Sequence, residues 1–307
     1  MPLAPEIKAF LEASAVEGLP EVWDAPIEVL RRNTQSRPAI AGPAQTLFEV
    51  SNRFIPGPTA DLPIRIYRPS EKTERTIIYF HGGGWVLNFL DIYDASLSRL
   101  ANQSNSTIVS VNYQKAPEHP FPTPLDDCYS TLLWVIANAA PLSFNIENLG
   151  VAGDSAGGNL AAAVALKARD NQIPLSFQIL IYPCNDLNFD THSYLENATG
   201  YGLSRQAMQW FWQQYLQSED HHVNPYAVPA RAASFANLAP AIIITAEYDP
   251  LLSDGEQYAQ LLIRAGVSTR YKQFDGMIHG FFTNVAVSPV ASQAIDYVAK
   301  ELAQLTQ

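Results

Sequence analysis

The stretch that decides the fold is residues 149–160, Leu-Gly-Val-Ala-Gly-Asp-Ser-Ala-Gly-Gly-Asn-Leu. Its apolar first half predicts a buried strand, and residues 159–167 predict a helix. Between them, Gly153 and Gly157 flank Ser155, and such small neighbours suit a very sharp strand-to-helix turn. That turn would lift the serine hydroxyl to the carboxyl end of a sheet, beside the positive end of the helix. An ordinary glycine-rich turn is the alternative, so partner residues must decide whether Ser155 is a nucleophile.

The composition restricts the class of protein. Of 307 residues, 47% are hydrophobic and 16% are charged, as in globular proteins. The 30 acidic and 19 basic residues give a net charge of −11, which repels nucleic-acid backbones, so we expect no nucleic-acid partner. The sequence has no run of 18 apolar residues and no basic start followed by an apolar core. We therefore expect a cytoplasmic protein with no membrane partner.

No cofactor or metal ion is implied by the sequence. Cys128 and Cys184 are far apart and lack metal-ligand spacing, so we expect free, buried thiols. His221 and His222 follow Asp220 and could hold a metal ion. We expect them instead to be solvated loop residues.

Strand and helix signals alternate along most of the chain. Strands are predicted at 47–50, 62–67, 76–80, 107–111, 149–154, 177–182, 241–245 and 269–274. Helices are predicted at 124–139 with Thr123 as N-cap, at 254–265 with Ser253 and Glu256 as a capping box, and near 288–304. This alternation predicts an α/β fold with a mostly parallel central sheet and helices on both faces.

Two segments interrupt the alternation. Residues 1–45 predict amphipathic helices, and residues 184–239 leave the carboxyl end of a strand, where α/β proteins bind ligands. We expect both to form a helical cap over a core of residues 46–183 and 240–307. An alternative for the first segment is that its helices merely cover one edge of the sheet. Candidate pocket residues, which could also be simple core, are Trp85, Met208, Phe211 and Trp212.

Ser155 needs a base, and the base needs an orienting carboxylate. Where a serine stands on such a turn, the chain order is serine, acid, histidine. If the acid follows the insertion, His279 is the base, since no other histidine comes later. Asp249 directly follows a predicted strand and precedes a proline, which keeps it out of helical conformation. It is the predicted acid, with Glu247 and Asp254 as alternatives.

Three glycines follow the strand at 76–80, in the run Phe80-His-Gly-Gly-Gly-Trp85. Attack on an ester creates a negative oxygen that preorganised N–H groups must stabilise, and consecutive glycines let backbone amides approach it. A phosphate-binding loop is the alternative, but no Gly-Lys-Ser/Thr or dinucleotide pattern is present. We expect His81 to support this loop through hydrogen bonds.

Together these motifs resemble the α/β-hydrolase fold and, within it, the bacterial hormone-sensitive-lipase family of carboxylesterases. The motifs are residues 81–85, 112–122, 153–158, 249–251 and 279–281. The resemblance implies oxyanion donors from Gly83, Gly84 and Ala156 and a cap from the N-terminal helices and the insertion. It also implies a subgroup, marked by Asp154, that often dimerises through its last strand.

Two features depart from the family pattern. Residues 112–116 read Asn-Tyr-Gln-Lys-Ala where the family usually has Asp-Tyr-Arg-Leu-Ala. Arg270 and Lys272 on the last predicted strand are typical of an edge protected against pairing. A homodimer and a monomer therefore both remain open.

The sequence predicts a serine carboxylester hydrolase that cleaves short- to medium-chain acyl esters of small molecules through an acyl-enzyme. Ser155 is the predicted nucleophile, His279 the base and Asp249 the orienting acid. An amidase, an arylacetamide-type deacetylase and a lipase are the alternatives on the same fold. A non-catalytic small-molecule receptor is a further alternative, but receptors that resemble this family lack a working triad histidine.

Overall fold

A central eight-stranded sheet organises the computed structural model, which describes residues 2–305. Met1, Thr306 and Gln307, at the ends of the predicted terminal segments, lie outside the described residues. The strands are β1 Glu49–Pro56, β2 Asp61–Arg68, β3 Arg75–Phe80, β4 Ser106–Val111, β5 Leu149–Asp154, β6 Phe177–Ile181, β7 Ala241–Tyr248 and β8 Thr269–Ile278. Their spatial order is β1-β2-β4-β3-β5-β6-β7-β8. Strands β3 to β8 pair in parallel and β1 and β2 pair antiparallel, so the predicted mostly parallel sheet is confirmed.

Helices cover both faces of this sheet. They are α1 Pro5–Glu17, α2 Ile27–Asn33, α3 Arg37–Ala41, α4 Asp94–Ser104, α5 Thr123–Ala137, α6 Ala139–Leu142, α7 Ala156–Asp170, α8 His192–Glu196, α9 Arg205–Tyr215, α10 Leu252–Arg264 and α11 Pro289–Leu305. Apolar side chains of α5, α7 and α10 share one core cluster, and those of α4 and α11 share a second. Adjacent residues of β3 alternate between the two, since Ile77 belongs to the second cluster and Ile78 to the first. The predicted two-sided arrangement is therefore confirmed.

The first strand differs from its prediction. The apolar signal at 47–50 places a strand there, whereas β1 runs from Glu49 to Pro56. It forms an antiparallel hairpin with β2, in which Ile55 lies opposite Leu62. Most β1 side chains are exposed at this edge of the sheet, so the strand carries little of the apolar periodicity that would reveal it.

Both predicted helix caps are wrong. Helix α5 begins at Thr123 itself, follows Pro122 as N-cap and has no side-chain cap bond. Helix α10 begins at Leu252, so Ser253 lies inside it. The Ser253 N–H instead donates to the hydroxyl of Ser193 in the insertion, at 3.0 Å. A contact between distant segments has thus replaced the local bond that the spacing predicts.

The segments before β1 and after β6 differ in how they pack. Helix α1 buries one side chain, Ile7, and the Ala4 N–H donates to Gly276 O at 3.1 Å. Helix α9 buries five, namely Ala207, Met208, Phe211, Trp212 and Tyr215. Most of the first segment thus rests on the surface of the molecule, while α9 is part of its first core cluster.

Cys128 and Cys184 are buried free thiols, as predicted. Among residues 2–305, no helix combines the length and apolar character needed to cross a bilayer. The same residues contain no group of three or more His, Cys, Asp or Glu side chains placed to hold a metal ion. His222 is exposed, as expected, whereas the ring of His221 packs edge-on against Phe121 at 4.9 Å.

Candidate active site

Ser155 stands on the turn between β5 and α7. Its backbone has φ +55° and ψ −120°, and its N–H donates to Ile181 O on the neighbouring strand at 2.8 Å. A Cβ atom on Gly153 would collide with the Gly157 backbone, and one on Gly157 would collide with the Phe80 backbone. Only glycine fits at these two positions, and that close packing fixes the serine at the carboxyl end of β5.

His279 and Asp249 complete a chain of hydrogen bonds that begins at Ser155. His279 Nε2 lies 2.9 Å from Ser155 Oγ, and His279 Nδ1 lies 2.7 Å from Asp249 Oδ2. The other oxygen of Asp249 accepts the Leu251 N–H at 2.9 Å, which fixes the carboxylate, and Asp249 is fully buried. The structure therefore brings together the three side chains that the sequence singles out, from the ends of β5, β7 and β8.

The two alternative acids lie in other surroundings. Glu247 accepts the Gly276 N–H at 2.6 Å. Asp254 is buried in the first turn of α10, and this burial raises the pKa of its carboxyl group well above the ordinary value. Asn197, which the sequence does not single out, donates to the carbonyl oxygens of Glu247 and Asp249 at 3.3 and 3.2 Å. The insertion thus helps to hold the acid loop.

The glycine loop after β3 holds two backbone N–H groups that are open to a ligand. Gly83 and Gly84 have φ of +111° and +61°, and Gly83 O accepts the N–H groups of Val86 and Leu87. Neither glycine N–H has an acceptor within residues 2–305. Ala156 is the first residue of α7, and the first N–H groups of a helix have no partner inside it. These three amides are available to bind an anion.

Comparison with known proteins identifies the family. Residues 77–283 match the family model described as alpha/beta hydrolase fold. Over 304 residues, 98% of this chain and 99% of the relative, the sequence is 33% identical to an arylesterase of Saccharolobus solfataricus. The chain belongs to the hormone-sensitive-lipase family of carboxylesterases.

Further comparisons agree with this assignment. The esterase is 31% identical over 318 residues, 99% of both chains, to an ethyl acetate hydrolase of Pseudomonas putida. Its fold superposes on the solved hyperthermophilic esterase from the archaeon Pyrobaculum calidifontis with a TM-score of 0.93, at 36% identity and 98% coverage of each chain. The predicted fold, family and enzyme class, a serine carboxylester hydrolase, are confirmed.

Asp154 links the nucleophile turn of the esterase to its glycine loop. Its carboxylate accepts the Gly82 N–H and the Tyr79 hydroxyl at 2.9 Å and the Tyr93 hydroxyl at 3.2 Å. Burial, only partly offset by these bonds, raises the pKa of Asp154 to about 6. The sequence marks Asp154 through the family resemblance but does not reveal its tyrosine partners, because they lie 75 and 61 residues away.

His81 is built into the support of the same loop. Its Nδ1 donates to Gly82 O at 2.8 Å, and its ring stacks on Tyr113 with a centroid distance of 4.4 Å. Complete burial, with a smaller contribution from the positive charge of Lys115, lowers the pKa of His81 to about 3. The imidazole is therefore neutral at physiological pH, and its bond to Gly82 agrees with the supporting position expected from the sequence.

The four predicted pocket residues occupy two layers. The Phe211 ring fills the space where a Cβ atom on Gly84 would project, so Phe211 lies directly on the glycine loop. Trp85 is fully buried behind it, stacked on Tyr215 at 4.3 Å and tilted against Trp212 at 4.5 Å. Met208 and Trp212 are 1% and 2% exposed, against 6% for Phe211. Phe211 thus touches the loop, and the other three pack in the core.

Proposed function

We propose that Ser155, His279 and Asp249 are the catalytic triad of this esterase. Ser155 Oγ attacks the ester carbonyl while His279 Nε2 takes its proton and then returns it to the leaving alcohol. Asp249 holds the imidazole in the correct tautomer and stabilises the imidazolium. A water molecule, deprotonated by His279, then cleaves the acyl-enzyme. The continuous hydrogen-bond chain of 2.9 and 2.7 Å supports this proposal.

The N–H groups of Gly83, Gly84 and Ala156 are the proposed oxyanion hole. They are free for a substrate oxygen, and Ala156 adds the positive end of α7. Preorganised donors of this kind stabilise the tetrahedral intermediate more than the ground-state carbonyl, which is what lowers the barrier.

A serine-directed fluorophosphonate tests the assignment of the nucleophile. We expect one label per chain, at Ser155, because this hydroxyl has both a base and free N–H groups beside it. The Ser155→Ala variant should hydrolyse esters roughly a millionfold more slowly than the wild type, with the same unfolding temperature. The control is Ser218→Ala, a change at an exposed position of the insertion, which should label normally. A label on another serine, or an active Ser155→Ala, contradicts the proposal.

We further propose that residues 1–45 and 184–239 form a cap over the core of residues 46–183 and 240–307, and that the cap limits acyl length. Phe211 forms the pocket wall, with Trp85, Met208 and Trp212 behind it. Each methylene buried against such a wall contributes about 0.8 kcal/mol, and overfilling costs about 1–3 kcal/mol. Preference should therefore peak at short to medium chains, as the name of the ethyl acetate hydrolase relative also suggests.

The length profile separates this proposal from its alternatives. We expect kcat/KM for p-nitrophenyl esters to peak near butanoate or hexanoate and to fall towards palmitate. Phe211→Ala should move the peak to longer chains, whereas Gln213→Ala, an exposed position on α9, should not. A profile that still rises at palmitate would indicate a lipase. Faster cleavage of the matching p-nitroanilides would indicate an amidase.

A homodimer through β8 is the proposed assembly. Strand β8 is at one edge of the sheet, and the Lys272 ammonium lies over the rings of Phe274 and Tyr297 at 4.8 and 4.6 Å. The Lys272 ammonium therefore packs on side chains of its own chain. Light scattering should give twice the chain mass, and Gln273→Pro, which removes an edge N–H, should give a monomer. A dimer that persists in this variant would contradict the β8 interface.

The proposed location is the cytoplasm. Cys128 and Cys184 are both unpaired, which suits a reducing compartment. Protein isolated from its own cells and denatured under alkylating conditions should show two reactive thiols per chain. Oxidised or mixed-disulfide cysteines would contradict this location.

A further inference from the structure

A cavity of about 970 Å³ lies between helix α2 and the loops that follow β3 and β4. Arg31 and Arg32 line it from α2, Asn88 lines it from the first loop, and residues 112–115 line it from the second. Within the described part of the chain, its lining includes none of the three side chains of the proposed triad. Its volume lies in the range of roughly 300–1,000 Å³ that sites for small molecules occupy. The cavity is therefore large enough for a second ligand.

Lys115 gives the wall of this cavity a positive charge that the family pattern lacks, because the family usually has a leucine at this position. Its Nζ donates to Asn112 Oδ1 at 2.6 Å and to Tyr113 O at 3.3 Å. Both partners also line the cavity, so these bonds place the ammonium at its wall. An ammonium has three donors, and residues 2–305 accept from two of them. The third is available to a ligand in the cavity.

No acidic side chain among the described residues forms an ion pair with Lys115. Asp127, whose charge acts on Lys115, accepts the Gln114 N–H at 2.9 Å instead. Burial, with a smaller contribution from the positive charge of Arg31, lowers the pKa of Lys115 to about 8. The amine is therefore still mainly charged at pH 7, and an unpaired ammonium surrounded by protein is stabilised by an anionic partner.

Two of the acids that line the cavity are already paired with arginines. Glu118 pairs with Arg31 and Asp91 pairs with Arg65, each at 2.7 Å. The first of these ion pairs joins α2 to the segment that follows β4. The two walls of the cavity are thus fixed relative to each other before a ligand enters, which lowers the entropic cost of binding.

The charges of the lining that stay unpaired are mainly positive. Arg32, Lys115 and Glu28 have no ion-pair partner in the part of the chain that the structure describes. Arg32 and Glu28 are exposed, whereas Lys115 is partly buried. Two cations are thus present with one carboxylate, in a chain whose net charge is −11. Such a local excess of positive charge favours an anionic ligand at this place.

We propose that this cavity is a second binding site, which holds a small oxyanion with two or more negative charges, such as a polycarboxylate or a phosphate. Lys115 donates to the anion from the loop after β4, and the exposed Arg32 side chain turns towards it from α2. The inference goes beyond the proposed function and does not depend on it, because binding at this site needs no catalytic step.

Isothermal titration calorimetry with citrate and, separately, with inorganic phosphate tests the site at an ionic strength held constant with sodium chloride. We expect saturable binding of at least one of these anions, with one site per chain. Lys115→Met should weaken this binding about tenfold or more, since it removes a charge-assisted hydrogen bond. Lys115→Arg should keep part of the affinity, and Arg32→Gln should lose part of it. The matched control is Lys300→Met, which removes an equal charge from an exposed position on α11 and should bind as the wild type does.

Two further measurements separate the cavity from the Ser155 site. Protein labelled with the fluorophosphonate should bind the anion as unlabelled protein does, and a saturating concentration of the anion should leave KM for p-nitrophenyl butanoate unchanged. Loss of binding on labelling, or a raised KM, would place the anion in the proposed oxyanion hole and overturn the inference.

The inference is also overturned if neither anion shows saturable binding, or if Lys115→Met and Lys300→Met bind equally well. Circular dichroism checks the folding of each variant. If Lys115→Met does not fold, the comparison of Arg32→Gln with Lys300→Met decides. Calorimetry requires no turnover, so an esterase that fails the fluorophosphonate test of Ser155 can still pass or fail this one.

Discussion

The carboxyl edge of the sheet and the two segments that flank it are held in different ways. Every residue of β3, β5 and β6 is buried, and Ser155 directly follows β5, while Asp249 and His279 directly follow β7 and β8. The flanking segments, residues 2–45 and 184–239, contain short helices of which α1 buries one side chain and α9 five. Backbone pairing fixes the first region, and side-chain contacts hold the second.

Because the two regions are held differently, we expect the strand ends to determine the rate of the reaction and the flanking segments to determine which ester is preferred. The positions of Ser155, Asp249 and His279 depend on the register of β5, β7 and β8 and on the turns that follow these strands, which leave the side chains little freedom. The flanking segments depend on individual contacts, such as the stacking of Tyr215 on Trp85 and the hydrogen bonds of Arg31. Substitutions at the strand ends should therefore abolish turnover. Substitutions in the flanking segments should change kcat/KM moderately or change the preferred ester.

Asp249→Asn should have the largest effect among the following predictions. An amide favours the wrong imidazole tautomer, so kcat should fall about ten-thousand-fold while the fold is kept. The measurement is kcat for p-nitrophenyl butanoate, with circular dichroism to check folding. Glu247→Gln is the control, because Glu247 bonds to Gly276 rather than to His279, and it should lose far less. A reversed order would move the orienting acid to Glu247.

Gly84→Ala tests the point where the two regions touch. Gly84 has φ +61°, and an added Cβ atom would collide with the Phe211 ring, so the loop must shift away from that ring. We expect kcat to fall about a hundredfold, the scale of losing one oxyanion donor. Gly266→Ala has a similar φ of +78° but meets no atom within 4 Å, so it should cost stability and leave kcat unchanged. Equal kcat in both variants would show that the loop position does not matter.

Arg31→Gln should have a smaller effect on turnover, because Arg31 lies on α2 in the N-terminal flanking segment. The Arg31 guanidinium donates to Val86 O at 2.9 Å, to Ala116 O at 3.0 Å and to Glu118 at 2.7 Å, and the Val86 N–H donates to Gly83 O. Loss of these bonds should lower kcat/KM about tenfold, as for a hydrogen bond to a charged group. Arg31→Lys should keep part of the kcat/KM that Arg31→Gln loses.

Arg99→Gln is the matched control for Arg31→Gln. Arg99 makes a similar two-pronged bond to Asp296, at 3.1 and 2.8 Å, between α4 and α11. Its loss should lower the unfolding temperature without a change in kcat/KM. If Arg31→Gln changes only the unfolding temperature as well, α2 does not influence the glycine loop.

The last prediction concerns stability and not the rate of turnover, and it comes from Asp154. Burial raises the pKa of its carboxyl group from 3.8 to about 6, so the folded state holds this proton more tightly than the unfolded chain. The contribution is present below about pH 4 and is lost as the pH rises to about 6, by about 3 kcal/mol in total. Urea unfolding from pH 4 to 7 should therefore show that Asp154→Asn gains stability relative to the wild type over this range. Parallel curves would contradict the raised pKa.

Much of the sheet, and the meeting of the three side chains of the proposed triad, could be predicted from sequence because their signals are local. Apolar runs mark buried strands, and Ser155, Asp249 and His279 each directly follow a strand. Signals failed where distant segments decide the outcome. Ser253 bonds to Ser193 in place of capping its helix, and Asp154 is held by tyrosines whose sequence positions carry no mark.

The distance along the chain between the members of the proposed triad has a consequence for folding. Ser155 and His279 are 124 residues apart, and β6, the insertion and β7 lie between them. Contacts between such distant residues form only after large chain loops have closed, which is entropically costly. During refolding, recovery of secondary structure should therefore precede recovery of turnover. With the proposed roles of Ser155 and His279, a chain that emerges from the ribosome should stay inactive until its last strand has joined the sheet.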